Sequence, residues 1–73
     1  MEYAVKISNE DSSTAYAFVI DSSLVIDGNI NLMDTLKAHK LDANEIFNKG
    51  NRITFGTLEN DEFKPLHEFK KWW

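Results

Sequence analysis

Two histidines, His39 and His67, are the only imidazoles that could bind a metal ion or transfer a proton. They lie far apart in the chain, which contains no cysteine, and neither stands near a carboxylate pair at metal-ligand spacing. A zinc site uses three or four convergent ligands, so we predict that no metal is bound. Both histidines are expected at the surface.

Nucleophilic catalysis requires a serine, threonine or lysine held beside a base. The paired serines lie in polar segments, 11–13 and 21–23, where hydroxyl groups commonly form local hydrogen bonds. The three glycines are dispersed and form no phosphate-binding loop. A chain of 73 residues also has little room for a substrate pocket beside its core. We therefore predict a protein that is not an enzyme and binds no cofactor, and we rank a small hydrolase or ligand-binding domain last.

Acidic side chains outnumber basic ones by 12 to eight and occur in loop-like groups. These groups are Glu10-Asp11, Asp21 with Asp27, and Glu59 with Asp61 and Glu62. If the loops met on one side of the fold, they would form a negative surface that attracts a basic partner. Solvated loops that only keep the protein soluble are the simpler alternative, and both interpretations stay open.

The C-terminal stretch 63–73 combines apolar and basic side chains. Its apolar positions are Phe63, Leu66, Phe69 and Trp72. Their spacing predicts a helix with one apolar face, and Pro65 suits its first turn. That face can either complete the core or bind a partner. Neighbouring helical residues point about 100° apart, so Trp72 is expected inside and Trp73 outside.

We predict a partner-binding surface from these two features, because tryptophan is enriched at interfaces and acidic loops complement a basic partner. Its residues are Phe69, Lys70, Lys71, Trp72, Trp73, Glu10, Asp11, Glu59, Asp61 and Glu62.

Two strands are predicted near the N-terminus and one in the second half of the chain. Alternation of apolar residues in 3–7 indicates a strand, and the polar segment Ser8–Ser13 separates it from a second strand, Thr14–Ile20. We expect these two strands to form an antiparallel hairpin. The alternating, β-branched segment Asn51–Leu58 predicts a later strand, with Gly56 marking a bulge or a close approach by another segment.

Two helices are predicted between these strands. Asp27-Gly28 indicates a tight turn, which either closes a second hairpin or leads into a helix from about Leu32; we favour the helix. The spacing of Asp42 and Glu45 indicates a second helix that begins with a capping box and ends at Lys49-Gly50. An acidic loop, 59–62, then leads to the C-terminal helix.

The predicted fold is one compact α+β domain, residues 1–73, in which a small antiparallel sheet is covered by two or three short helices. The sheet consists of the N-terminal hairpin and the later strand. The absence of cysteine, of a signal-like N-terminus and of a long apolar segment favours a cytoplasmic protein that does not enter a membrane. The net charge of −4 disfavours direct binding of nucleic acid.

These observations favour a small acidic regulator or inhibitor that binds another protein with a basic surface. A complex that processes nucleic acid is the target that best fits this charge, and a phage or mobile element is a plausible source of such an antagonist. The alternative is a structural subunit or a homodimer joined through the C-terminal aromatic helix or through a sheet edge.

Overall fold

The computed structural model describes residues 2–71, in which six strands and two α-helices follow one another along the chain. The bounds of the elements are β1 Glu2–Ser8, β2 Thr14–Ile20, β3 Val25–Ile26, β4 Asn29–Ile30, α1 Leu32–Ala38, α2 Ala43–Asn48, β5 Arg52–Glu59 and β6 Glu62–Phe69. A single 3-10 turn, Ser22–Leu24, precedes β3.

Four strands form an antiparallel sheet in the order β2-β1-β5-β6. Val5 lies opposite Phe18 on one side and opposite Phe55 on the other, so the apolar residues of three strands share one face. This register follows from the alternation within β1, because a shift by one residue would turn every apolar side chain to the other face. The predicted N-terminal hairpin and the predicted strand β5 are confirmed.

The remaining two strands, β3 and β4, form a small separate hairpin around Asp27-Gly28. The sequence favours a turn that leads directly into a helix; the chain forms both the hairpin and the helix, because α1 begins two residues after the hairpin ends. Ile30 packs into the core, whereas the side chain of Ile26 is left exposed.

Both predicted helices begin at their predicted caps. The Asn31 side chain accepts a hydrogen bond from the backbone N–H of Asp34, and the Asp42 side chain accepts one from Asn44. The capping box expected at α2 is only half formed, because Glu45 instead pairs with Lys49 one turn later. Such an exposed ion pair adds little stability.

Each helix is followed, within two residues of its end, by a residue with left-handed backbone conformation. Gly50 follows α2 with a φ of 77°, and the N–H groups of Gly50 and Asn51 close back onto the last turn of the helix. Lys40 has the same role after α1, with a φ of 59°. This conformation suits glycine and is unfavourable for a side chain with a Cβ atom.

The core lies between the four-stranded sheet and the two helices. Val5, Ile53 and Phe55 are fully buried on the sheet, and Tyr3 stacks on Phe55 with ring centroids 5.6 Å apart. The helices contribute a smaller apolar set, Leu32 and Leu36 from α1 and Ala43 and Ile46 from α2. Burying these side chains is the main source of stability in so small a domain.

The C-terminal helix predicted from the spacing of Phe63, Leu66 and Phe69 is wrong, because residues 62–69 form strand β6. Asn60 and Asp61 both have positive φ and make a two-residue turn, which pairs β6 with β5. A β-bulge at Leu66 shifts the register of β6. Phe63 therefore lies on the face away from the helices, while Phe69 lies on the core face.

The predicted fold class is also wrong. Strands hold 49% of the described residues and helices 23%, so the structure is mostly β rather than a three-stranded sheet beneath two or three helices. The difference comes from the residues assigned to the third helix, which extend the sheet instead. As a result, one face of the four-stranded sheet is covered by the two helices and the other is not.

Candidate functional site

The sheet register places five carboxylate residues at one end of the fold, which we call the acidic end: Glu2, Asp21, Glu59, Asp61 and Glu62. Tyr3 pairs with Ile20, so the next residues outward, Glu2 and Asp21, are neighbours. Glu59 pairs with Glu62 at the β5–β6 turn. Glu2 lies opposite Leu58, so Glu59 is one residue further out and its side chain alternates to the other face of the sheet. The five carboxylates therefore form a group at the ends of the four strands and not a single line.

Within residues 2–71, the acidic end contains little compensating positive charge. All five of its carboxylate residues are exposed. Lys64 lies beside this group, with its Nζ 3.5 Å from Oε2 of Glu59, and both of these side chains are more than half exposed. Such an ion pair is weak in water, so the net charge of the acidic end stays strongly negative.

Asp21 is held in its ionised form by its surroundings. Its carboxylate accepts a hydrogen bond of 2.9 Å from the backbone N–H of Ser23. This backbone hydrogen bond, with a smaller contribution from the Ser23 side chain, lowers the pKa of Asp21. The carboxylate therefore keeps its charge under more acidic conditions than an ordinary aspartate does.

A shallow apolar groove lies next to Asp21 along the chain, between the β3–β4 hairpin and α1. Its volume is about 450 Å³, and we call it the hairpin groove. Its main lining residues are Leu24, Ile26, Asn29, Ile30, Asp34 and Ala38.

Two exposed apolar side chains line this groove. Leu24 is 44% exposed and Ile26 is 71% exposed. Segment 21–34 contains three aspartates and no basic residue. The groove is therefore an apolar surface bordered by negative charge.

The structure does not bring Glu10 and Asp11 to the acidic end. They lie in the β1–β2 loop, at the opposite end of the strands from Glu59, Asp61 and Glu62. Asp11 accepts hydrogen bonds from the Ser13 hydroxyl at 2.6 Å and from its N–H at 2.9 Å, and these lower the pKa of Asp11. The surroundings of this loop are of mixed charge.

Basic residues contribute to that mixed charge. Lys49 borders the same shallow depression as Glu10 and Asp11, and Arg52 donates a hydrogen bond of 2.7 Å to the Ser12 hydroxyl. The predicted acidic surface is therefore divided between the two ends of the sheet, and only one end is strongly negative.

The C-terminal residues of the predicted binding surface are also separated from the acidic end. Phe69 is only 8% exposed and belongs to the core. Lys70 and Lys71 follow β6 at the end of the sheet that holds Arg52, and both are exposed. Trp72 and Trp73 lie outside the residues that the structure describes.

Glu2 is the member of the acidic end that the sequence analysis missed. The predicted hairpin of the first two strands already indicates part of this group. It places Glu2, before the predicted first strand, beside Asp21, after the second. Adding Glu59 to this group requires knowledge of the strand order in the sheet. That order depends on the long-range pairing of β1 with β5, which no local pattern reveals.

The histidines are placed at the surface as expected, and each contacts an aromatic ring. His39 stacks on Phe18 with ring centroids 3.9 Å apart, and His67 meets the ring of Phe69 edge to face at 4.8 Å. Within residues 2–71, no three metal-binding side chains of the His, Cys, Asp or Glu type come together. No helix in this part of the chain has the length and apolar character needed to cross a membrane.

Comparison with known proteins gives no relative: no family model, curated protein or solved structure matches the chain. The acidic end and the hairpin groove are therefore interpreted from their own geometry.

Proposed function

We propose that the protein is a small, non-enzymatic regulator or inhibitor that binds another protein with a basic surface. The observation that supports this proposal is the acidic end, where the sheet register groups five exposed carboxylates at one end of the fold. Such a group of fixed negative charges attracts a basic surface at long range and orients it on approach.

The charge of the acidic end is also the reason for the class of target we propose. Its five exposed carboxylates lie close to the ends of neighbouring strands, and a group of fixed negative charges presents to a basic surface the same sign of charge as a phosphate backbone. A basic cleft that normally holds nucleic acid would attract such a group. We therefore propose a nucleic-acid-processing complex as the target class, in the cytoplasm, and an antagonist of the phage or mobile-element type.

The hairpin groove supplies the apolar part of the proposed interface. Charge alone gives fast but weak association, whereas buried apolar side chains keep the complex together. Leu24 and Ile26 lie only a few residues from Asp21 and are already exposed, so a partner can bury them without any rearrangement of the core. We expect a target that offers lysine or arginine beside a small apolar projection.

The proposal can be tested by affinity capture from a nuclease-treated lysate of the source cell. The test variant is the triple substitution Glu59→Gln, Asp61→Asn and Glu62→Gln, which neutralises the β5–β6 turn; asparagine tolerates the positive φ of Asp61. Wild type should retain a partner that the variant loses. Because exposed charges are screened within about 3 Å at 1 M salt, the wild-type complex should also dissociate at high salt.

A matched control removes the same number of charges elsewhere, with Glu10→Gln, Asp11→Asn and Glu68→Gln. This control should retain the partner. Equal loss of binding in both triple variants would mean that only the net charge matters, and unchanged binding in both would contradict a role for the acidic end.

A further inference from the structure

The two edges of the four-stranded sheet differ in how well they are protected against pairing with another strand. β2 and β6 are the edge strands, and among residues 2–71 each has a neighbouring strand on one side only. Such an edge presents unpaired N–H and C=O groups that can bind a further strand. Folded proteins usually protect their edges with charged residues, proline or bulges.

Edge β6 carries all three of these protective features. Its eight residues include the charged side chains of Glu62, Lys64 and Glu68. Pro65 lacks a backbone N–H group, and the bulge at Leu66 breaks the regular ladder. A second strand therefore cannot extend the sheet on this side.

Edge β2, Thr14–Ile20, carries only one of these features, a bulge at Ala15 close to its start, where the register with β1 shifts. It contains no charged residue, no proline and no glycine. Its pairing with β1 is regular from Tyr16 to Ile20. Within the part of the chain that the structure describes, its backbone forms hydrogen bonds only with β1. Tyr16 and Val19 are nearly half exposed beside this edge.

We infer that β2 pairs with β2 of a second copy of the chain, in antiparallel orientation around a two-fold axis at Ala17. This register pairs the regular part of the strand: Tyr16 faces Phe18 of the other copy, and Ala17 faces Ala17. The bulge at Ala15 lies outside these central pairs. The two sheets join into one sheet of eight strands, with the helices of both copies on the same face.

A second copy fits this edge because the strand is complementary to itself. In a two-fold pair, a charged residue at the centre would face the same charge on the partner, and β2 has no charge to do so. The pairing instead brings Tyr16 against Phe18 of the second copy, and aromatic pairs across strands are favourable. The dimer uses a surface separate from the acidic end, so it does not depend on the proposed function.

Charge substitutions at position 17 test both the dimer and its register. One strand pair buries less than the roughly 1,200 Å² of a stable interface, so sedimentation velocity should cover protein concentrations from about 1 µM to about 1 mM. Wild type should show a monomer–dimer equilibrium within this range. Ala17→Lys and Ala17→Glu should each be monomeric, because like charges then lie opposite each other at the two-fold axis.

An equal mixture of the Ala17→Lys and Ala17→Glu variants should recover the dimer, because lysine then faces glutamate. Leu66→Lys, on the protected edge, is the control and should dimerise as wild type does. Circular dichroism verifies that each variant is folded. A wild type that stays monomeric throughout, a mixture that does not dimerise, or a Leu66→Lys variant that loses the dimer would each overturn the inference.

Discussion

Replacing Gly56 with alanine should destabilise the protein, although alanine usually suits a strand better than glycine does. An ideal Cβ atom built on Gly56 collides with the backbone carbonyl oxygen of Lys64 and lies 2.8 Å from Cζ of Phe63. The β6 backbone passes this close because the bulge at Leu66 falls next to the pair of Gly56 with Pro65. The phenyl ring of Phe63 can move aside, but the Lys64 carbonyl cannot move without shifting the strand.

The expected loss is the difference between two opposing effects. Overpacking at a fixed site costs about 1–3 kcal/mol. Replacing glycine returns about 0.5–1 kcal/mol, because the unfolded chain becomes less flexible. The net loss in the free energy of unfolding is therefore about 1–2 kcal/mol. For a domain of 60–100 residues, this lowers the melting temperature by about 5–15 °C.

Thermal and urea denaturation of Gly56→Ala, followed by circular dichroism, measure this loss. The double variant Gly56→Ala with Phe63→Ala separates the two contacts, with Phe63→Ala alone as its reference. If the Lys64 carbonyl is the main obstacle, adding Gly56→Ala should cost about the same in either background. A variant Gly56→Ala as stable as wild type would refute the close approach of β6.

Three further predictions follow from the core, the helix ends and the acidic end. Phe69→Ala should reduce the free energy of unfolding by about 3–5 kcal/mol in urea denaturation, whereas Leu66→Ala, at a side chain 58% exposed, should change it by less than about 0.5 kcal/mol. Lys40→Gly should raise it by about 0.5–1 kcal/mol, because glycine adopts the positive φ at the end of α1 without strain; an unchanged urea midpoint would contradict this. Because the pKa of Asp21 is lower in the folded state, its hydrogen bond should stabilise the fold above the ordinary aspartate pKa and lose that effect as the pH falls through the folded value. Carboxyl NMR titration should show this low midpoint, and Asp21→Asn should remove the corresponding pH dependence of stability.

Local patterns predicted the elements whose stability is mainly local. The alternation in β1 and β2, the caps at Asn31 and Asp42 and the glycine at position 50 all occur as expected. Each depends on contacts within a few residues, so the amino-acid sequence specifies it directly. The bulge and close approach at Gly56 were also predicted, since glycine within a strand commonly marks such a site.

The C-terminal helix failed as a prediction because a long-range interaction determines that segment. Apolar residues at every third position, as at Phe63, Leu66 and Phe69, fit a helix. They also fit a strand whose alternation is shifted by a bulge. The turn Asn60-Asp61 contained the missing signal, since both residue types tolerate positive φ and close two-residue hairpins. Strand β6 pairs with the edge of β5, and local secondary-structure propensity does not take this pairing into account.

The same dependence on long-range pairing limited the prediction of the binding surface. The acidic residues were identified individually, but their division between the two ends of the sheet follows from the strand order β2-β1-β5-β6. No pattern in the amino-acid sequence indicates that Glu10 and Asp11 lie at the opposite end of the sheet from Glu59. Phe69 was assigned to an interface because a helix was assumed; in a strand, its side chain points into the core.

The bulge at Leu66 has a consequence for changes in chain length. Leu66 has no partner on β5, because Phe55 pairs with His67 and Gly56 pairs with Pro65. Deleting this one residue would therefore leave every other pair of the β5–β6 ladder in place and would straighten the strand. The shortened chain would keep its core but lose one of the irregularities that stop further strands from adding to β6. A deletion that leaves the strand pairs in place would thus weaken the protection of this edge, which would then depend on Pro65 and on the charged residues of β6.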